Sequence, residues 1–105
     1  MAFCAFDDSA ALFDSTPVEN MFITEYMLHA PGDFVKVYLY ALMLCYHPTP
    51  RMSLSSMAKD LDMQEEDVDR AFKYWARDGL VRQVSDNPVT YSLYNLKQLN
   101  HCFVM

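Results

Sequence analysis

Glycine is nearly absent from this chain: Gly32 and Gly79 are the only two among 105 residues. Two isolated glycines cannot build the loop that cradles a phosphate or a dinucleotide. Cysteine is equally sparse. Cys4, Cys45 and Cys102 make an odd count, too few for a disulfide scaffold, and none falls into the paired spacing of a structural zinc site. Basic residues are scarce as well: 8 Lys and Arg stand against 14 Asp and Glu, a net charge of −6 with a pI near 4.7. That balance argues against a dedicated nucleic-acid binder, which needs clustered cations to neutralise phosphates. Long apolar runs are missing too. Val37–Tyr46 falls well short of the roughly 20 residues that cross a bilayer, and Met1–Phe6 is too short for a signal-peptide core before Asp7 and Asp8 intervene. The chain reads as a cytoplasmic protein of a reducing compartment, with no membrane association.

What is present suits a packed core. Hydrophobic residues make up 52% and aromatics 14% of the chain, which excludes a disordered or low-complexity chain, and the length fits one domain. Residues 1–16 read as a flexible arm, 17–95 as the folded domain and 96–105 as a tail or linker. Thr16-Pro17-Val18-Glu19 has helix-start chemistry, but Met21-Phe22-Ile23 favours extended structure, so a short strand is expected at about 19–23. A turn and a half of helix follows, until Pro31-Gly32 breaks it.

Asp33 is placed to cap a helix over Phe34–His47, whose interior carries Lys36 as its only charge. A helix apolar on every side must be covered on every side, with Cys45 packed inside, and Pro48-Thr49-Pro50 ends it. Ser53 caps a short helix over Leu54–Leu61, with Leu54, Met57, Ala58 and Leu61 at helical spacing. Asp62-Met63-Gln64 makes a tight turn, Asp62 tolerating the left-handed region and Gln64 serving as a weak cap. A third helix over Glu65–Asp78 places Val68, Ala71, Phe72 and Trp75 on one face, and Gly79 stands where a left-handed residue ends a helix. Leu80–Val84 and Val89–Tyr94 flank the turn cluster Ser85-Asp86-Asn87-Pro88, which predicts a β-hairpin. Helix, helix-turn-helix, hairpin is the order of a winged helix, so the fold class is α+β: three helices plus a hairpin wing, with an N-terminal strand and helix extension.

The third helix is the natural candidate for reading DNA, with the hairpin as its wing. Its outer stripe runs through Glu66, Asp69 or Arg70, Lys73 and Arg77. The end that would meet base edges, however, opens with Glu65, Glu66, Asp67 and Asp69, which repel the groove and suit the positive end of the helix dipole. A solvated face laced by Glu66–Arg70 and Asp69–Lys73 pairs explains the stripe better. Arg70, Lys73, Arg77 and Arg82 remain the candidate DNA-backbone contacts. Met21, Phe22, Ile23, Tyr26 and Met27 are large apolar residues outside the helix-turn-helix, and they are the candidate oligomer interface, extending the sheet across a two-fold axis. The competing expectation is that they cover the central helix within one chain. Tyr38, Tyr40, Tyr46, Tyr74, Tyr91 and Tyr94 lack the flanking cations of a base-stacking platform and read as core or rim residues.

Catalytic chemistry finds no footing. Cys45-Tyr46-His47 and His101-Cys102 lack metal-ligand spacing, Glu65-Glu66 suits a helix opening, and no nucleophile–base pair has an oxyanion pocket. No enzyme activity, cofactor or metal is expected.

The runs Val18-Glu19-Asn20-Met21-Phe22-Ile23-Thr24-Glu25-Tyr26-Met27 and Pro31-Gly32-Asp33-Phe34-Val35-Lys36-Val37-Tyr38-Leu39-Tyr40 resemble the N-terminal domain of DnaD-like primosome proteins. The likeness continues through Ser53–Leu61, Glu65–Val81 and Tyr91-Ser92-Leu93. It implies a winged-helix scaffold in DNA replication initiation that forms a homo-oligomer, dimer or tetramer, and docks initiator or helicase-loading proteins. In that family much of the DNA binding belongs to a C-terminal domain bearing a Tyr-x-x-x-Ile-x-x-Tyr signature. That signature does not occur here, so the chain looks like the scaffold half, as a fragment or a natural short form. A DNA-binding transcriptional regulator is the alternative expectation.

Overall fold

The computed structural model describes residues 14–50 and 52–94. The first thirteen residues of the expected arm and the whole of the expected tail lie outside the described residues. So does the His101-Cys102 pair. The domain is α+β: a short helical extension, three α-helices and a two-stranded antiparallel hairpin.

Helix α1 (Gly32–Tyr46) begins two residues before the expected start. Asp33 is therefore inside the first turn rather than capping it. The Pro31 carbonyl accepts from the amides of Phe34 and Val35, and Asp33 still meets the positive end of the helix dipole. Helix α2 (Leu54–Leu61) has a complete capping box: Ser53 accepts from the Ser56 amide, and the Ser56 hydroxyl accepts from the Ser53 amide, both at 3.0 Å. Asp62 then adopts the left-handed region at φ 56°, and the Met63 amide closes back on Ala58 at 2.9 Å. That turn leads into helix α3 (Glu65–Arg77), where Gln64 makes no side-chain cap, as its chemistry suggested. Gly79 takes φ +83°, which lets the Leu80 amide bond to the Trp75 carbonyl at 2.9 Å.

Strands β1 (Val81–Asp86) and β2 (Val89–Leu93) pair antiparallel, from Val81 opposite Leu93 to Asp86 opposite Val89. Strand β1 runs two residues closer to the tip than expected, to Asp86, whereas β2 starts at Val89 as expected and ends one residue short of Tyr94, so that Asn87-Pro88 alone forms the connection. An irregularity between Gln83 and Ser85 leaves Val84 exposed. Leu80 and Val81 are buried and root the hairpin against α3.

The core is an aromatic stack. Phe22 lies on Tyr38 with ring centroids 4.3 Å apart and planes 16° from parallel, and both rings meet Trp75 at about 5.5 Å. The Trp75 indole N–H donates to the Phe34 carbonyl at 2.8 Å, so the largest buried side chain leaves no polar atom unsatisfied. Burial pushes the Tyr38 phenol up to about 12, with Cys45 and Tyr46 adding to the effect.

The extension corrects the sequence reading. Residues 19–23 form no strand: the chain turns helical at Asn20 and widens into a π-type turn over Phe22–Tyr26, where the Met27 amide reaches back to the Phe22 carbonyl. A tighter turn over Met27–His29 follows. The Thr24 hydroxyl bonds the Asn20 carbonyl at 3.1 Å, a satisfaction that a strand would not give it. Apolar, β-prone residues have no fixed preference of their own; the contact available to Phe22 decides. Phe22 and Tyr26, four residues apart in the helical segment, pack on the core, as does Val18 ahead of them.

Candidate interaction surfaces

Four cations were expected to face a nucleic-acid backbone. Arg70 and Lys73 lie exposed on α3 but are held by the helix's own carboxylates: Arg70 to Asp67 at 2.6 Å and Lys73 to Asp69 at 2.8 Å. The first pair corrects the expected Glu66–Arg70 link, because Asp67, three residues before, lies within reach of the guanidinium. Arg77, in the last turn of α3, and Arg82, on β1, are both exposed. Arg77 also complements the negative end of the helix dipole.

Asp69 is tied from a second direction. The Tyr91 hydroxyl on β2 donates to its carboxylate at 2.5 Å, while the Tyr91 ring stacks on Phe72 with centroids 4.4 Å apart. Burial works against the charged form of Asp69, yet the hydrogen bonds from Lys73 and Tyr91 outweigh it and hold the carboxyl below its ordinary range. The same burial and contact with Asp69 push the Tyr91 phenol well above its ordinary value. This network joins the hairpin to α3, so these charges fix the angle between the two elements.

The five residues of the candidate oligomer interface separate. Phe22 is fully buried in the core of its own chain, so it is withdrawn from any surface. Tyr26 and Met27 are half-buried against the same core, and Met21 is half-buried. Ile23 faces outward, 38% exposed. The expectation that these residues extend the sheet is likewise corrected, since they are helical and the sheet has two strands among the described residues. Leu28, which the sequence reading passed over, is the most exposed large apolar residue described, at 65%. Its position in Met27-Leu28-His29 shows no periodicity that would have revealed this.

Helix α1 departs from expectation as well: the described residues do not cover it all round. Leu39 and Tyr46 remain exposed, and Cys45 is exposed rather than packed inside. His47 sits at the end of α1 with Nε2 2.8 Å from the Ser15 carbonyl. No group of three His, Cys, Asp or Glu side chains gathers as metal ligands among the described residues. On the other side of the helix, a cavity of about 150 Å³ opens between α1, α2 and β2, lined by apolar side chains such as Leu44, Met57 and Leu93. Among the described residues, no helix is long and apolar enough to cross a membrane.

No family model, curated protein or solved structure matches this chain.

Proposed function

We propose that the protein is a non-enzymatic scaffold domain of the winged-helix kind, acting in DNA replication initiation in the manner of DnaD-like proteins. On this reading it self-associates through the outer side of the N-terminal extension and offers its remaining surface to initiator or helicase-loading partners. The observation that carries the docking role is the pair Ile23 and Leu28: two large apolar residues exposed on an extension whose inner side is fixed by Phe22. Exposed apolar side chains on a rigid support are the usual anchors of a protein interface. The tie to replication rests on the sequence resemblance alone.

Light scattering after size exclusion tests the reading. The expected mass exceeds the 12.2 kDa of one chain, and Ile23→Asp with Leu28→Asp returns it to one chain without loss of helical content. A wild-type monomer at high concentration would overturn it. Phe22 is unsuitable for this test, because its replacement damages the core.

The second reading, a DNA-binding regulator, draws on the helix-turn-helix and hairpin order and on the exposed Arg77 and Arg82. It requires duplex binding near physiological salt that weakens on Arg77→Ala plus Arg82→Ala. The scaffold reading expects none, because the acids opening α3 face the polyanion and Arg70 and Lys73 are already neutralised.

A further inference from the structure

The apolar cavity beside the hairpin has a definite size and chemistry. Leu44 of α1, Leu54 and Met57 of α2, Phe72 of α3 and Leu93 of β2 line a space of about 150 Å³. Pockets for larger ligands run to roughly 300–1,000 Å³. An apolar cavity on the order of 150 Å³ admits a benzene-sized molecule instead.

The wall selects against charge. No charged side chain lines the cavity among the described residues. Its hydroxyl groups are engaged elsewhere: Thr90 donates to the Pro88 carbonyl at 3.0 Å, Tyr91 donates to Asp69, and Ser53 accepts from the Ser56 amide. An ion entering here would lose its hydration without gaining a partner. What the wall does offer is aromatic and sulfur contact. Phe72 and Tyr91 are stacked with centroids 4.4 Å apart, and Met52 and Met57 contribute thioethers. Rings packed against rings gain more than burial alone gives, and thioethers pack favourably on aromatic edges and adapt to the shape of an occupant.

We infer that this cavity is a binding site for a small neutral aromatic molecule of one ring. Bound there, the molecule touches α1, α2 and β2 together. It therefore braces the hairpin against two helices, whereas the Tyr91–Asp69 bond ties it to α3. The inference does not rest on the replication reading, since neither Ile23 nor Leu28 lines the cavity.

Toluene and benzoate, one ring without and with a charge, test it on the full chain. The methionines supply the readout through isotope-labelled methyl groups: Met52 and Met57 line the cavity, whereas Met21, Met27, Met43 and Met63 do not. Toluene is expected to shift the Met52 and Met57 signals saturably and to leave the others in place, with benzoate bound at least about tenfold more weakly. Leu54→Phe and, separately, Val89→Phe add volume at the wall, and each is expected to weaken toluene binding at least about tenfold. Urea unfolding of the unmodified chain is an independent reading: toluene at about ten times its Kd lowers the unfolding constant about elevenfold. Neither the methyl pattern nor the benzoate comparison requires a substitution, so the test survives a variant that folds poorly. The inference is overturned by the absence of a saturable shift at Met52 and Met57, by equal shifts at all the methyl groups, by benzoate binding as tightly as toluene, or by undiminished binding to both filled variants.

Discussion

Replacing Phe22 with alanine separates a residue that holds the chain together from one that holds two chains together. The ring has no exposed surface and is enclosed by Tyr38 at 4.3 Å and Trp75 at 5.4 Å. Truncating a buried phenylalanine costs about 3–5 kcal/mol, the lost transfer energy and the cavity together, of which each aromatic contact accounts for about 0.5–1.5 kcal/mol. The extension is a short segment that can relax into part of the void, so the lower half of that range, about 3–4 kcal/mol, is expected. A domain of this length has a total stability of about 5–15 kcal/mol. The variant therefore stays folded in water but unfolds early. Urea titration followed by fluorescence of Trp75, the one tryptophan and itself in contact with Phe22, reads the change directly. With a urea slope of about 1–3 kcal/mol per molar, the midpoint falls by one to several molar. Ile23→Ala is the internal control. Its side chain faces outward, so it is expected to shift stability by no more than about 0.5 kcal/mol. A Phe22→Ala loss below about 1 kcal/mol with unchanged tryptophan emission would refute the placement of this ring in the core.

Three further outcomes follow from the local chemistry. Tyr91→Phe removes the hydroxyl that Asp69 accepts from and is expected to cost about 1 kcal/mol at neutral pH, less in acid. Asp69 is held below its ordinary range, so its contribution is complete above about pH 4 and disappears as pH falls through the folded value; wild type and variant should converge in acid denaturation curves. Gly79→Ala forces a β-carbon into φ +83° and is expected to lower the denaturant midpoint by about 1–2 kcal/mol in equivalent stability, although no neighbour lies within 4 Å of the added carbon. Ser53→Ala removes the hydroxyl that accepts from the Ser56 amide, one of the two bonds of the capping box, and is expected to cost about 1 kcal/mol, with α2 amides showing faster hydrogen exchange.

Much of the helical scaffold was legible without coordinates, because its signals are local. Ser53, the left-handed Asp62 and Gly79 each act within a few residues of themselves. The face Val68, Ala71, Phe72 and Trp75 follows from helical spacing and is buried along its length. The turn at Asn87-Pro88 falls where the turn cluster predicts it, with β1 reaching two residues nearer to it than propensity implies. The extension was misread because Met21-Phe22-Ile23 fits a strand as well as a helix. Choosing between them depends on Tyr38 and Trp75, which are 16 and 53 residues further along from Phe22.

Charge on the candidate nucleic-acid face divides the same way. Sequence alone determined the acidic opening of α3 and the i, i+4 pairing of Asp69 with Lys73, since both depend only on helical repeat. Tertiary structure alone decided that Asp69 also accepts from Tyr91 across the hairpin, that Phe22 belongs to the interior, and that Leu39 and Tyr46 stay uncovered by the described residues. Periodicity states that a helix face is apolar. Which neighbour covers it depends on how distant segments pack together, and that is settled by competition among all such faces for a limited interior.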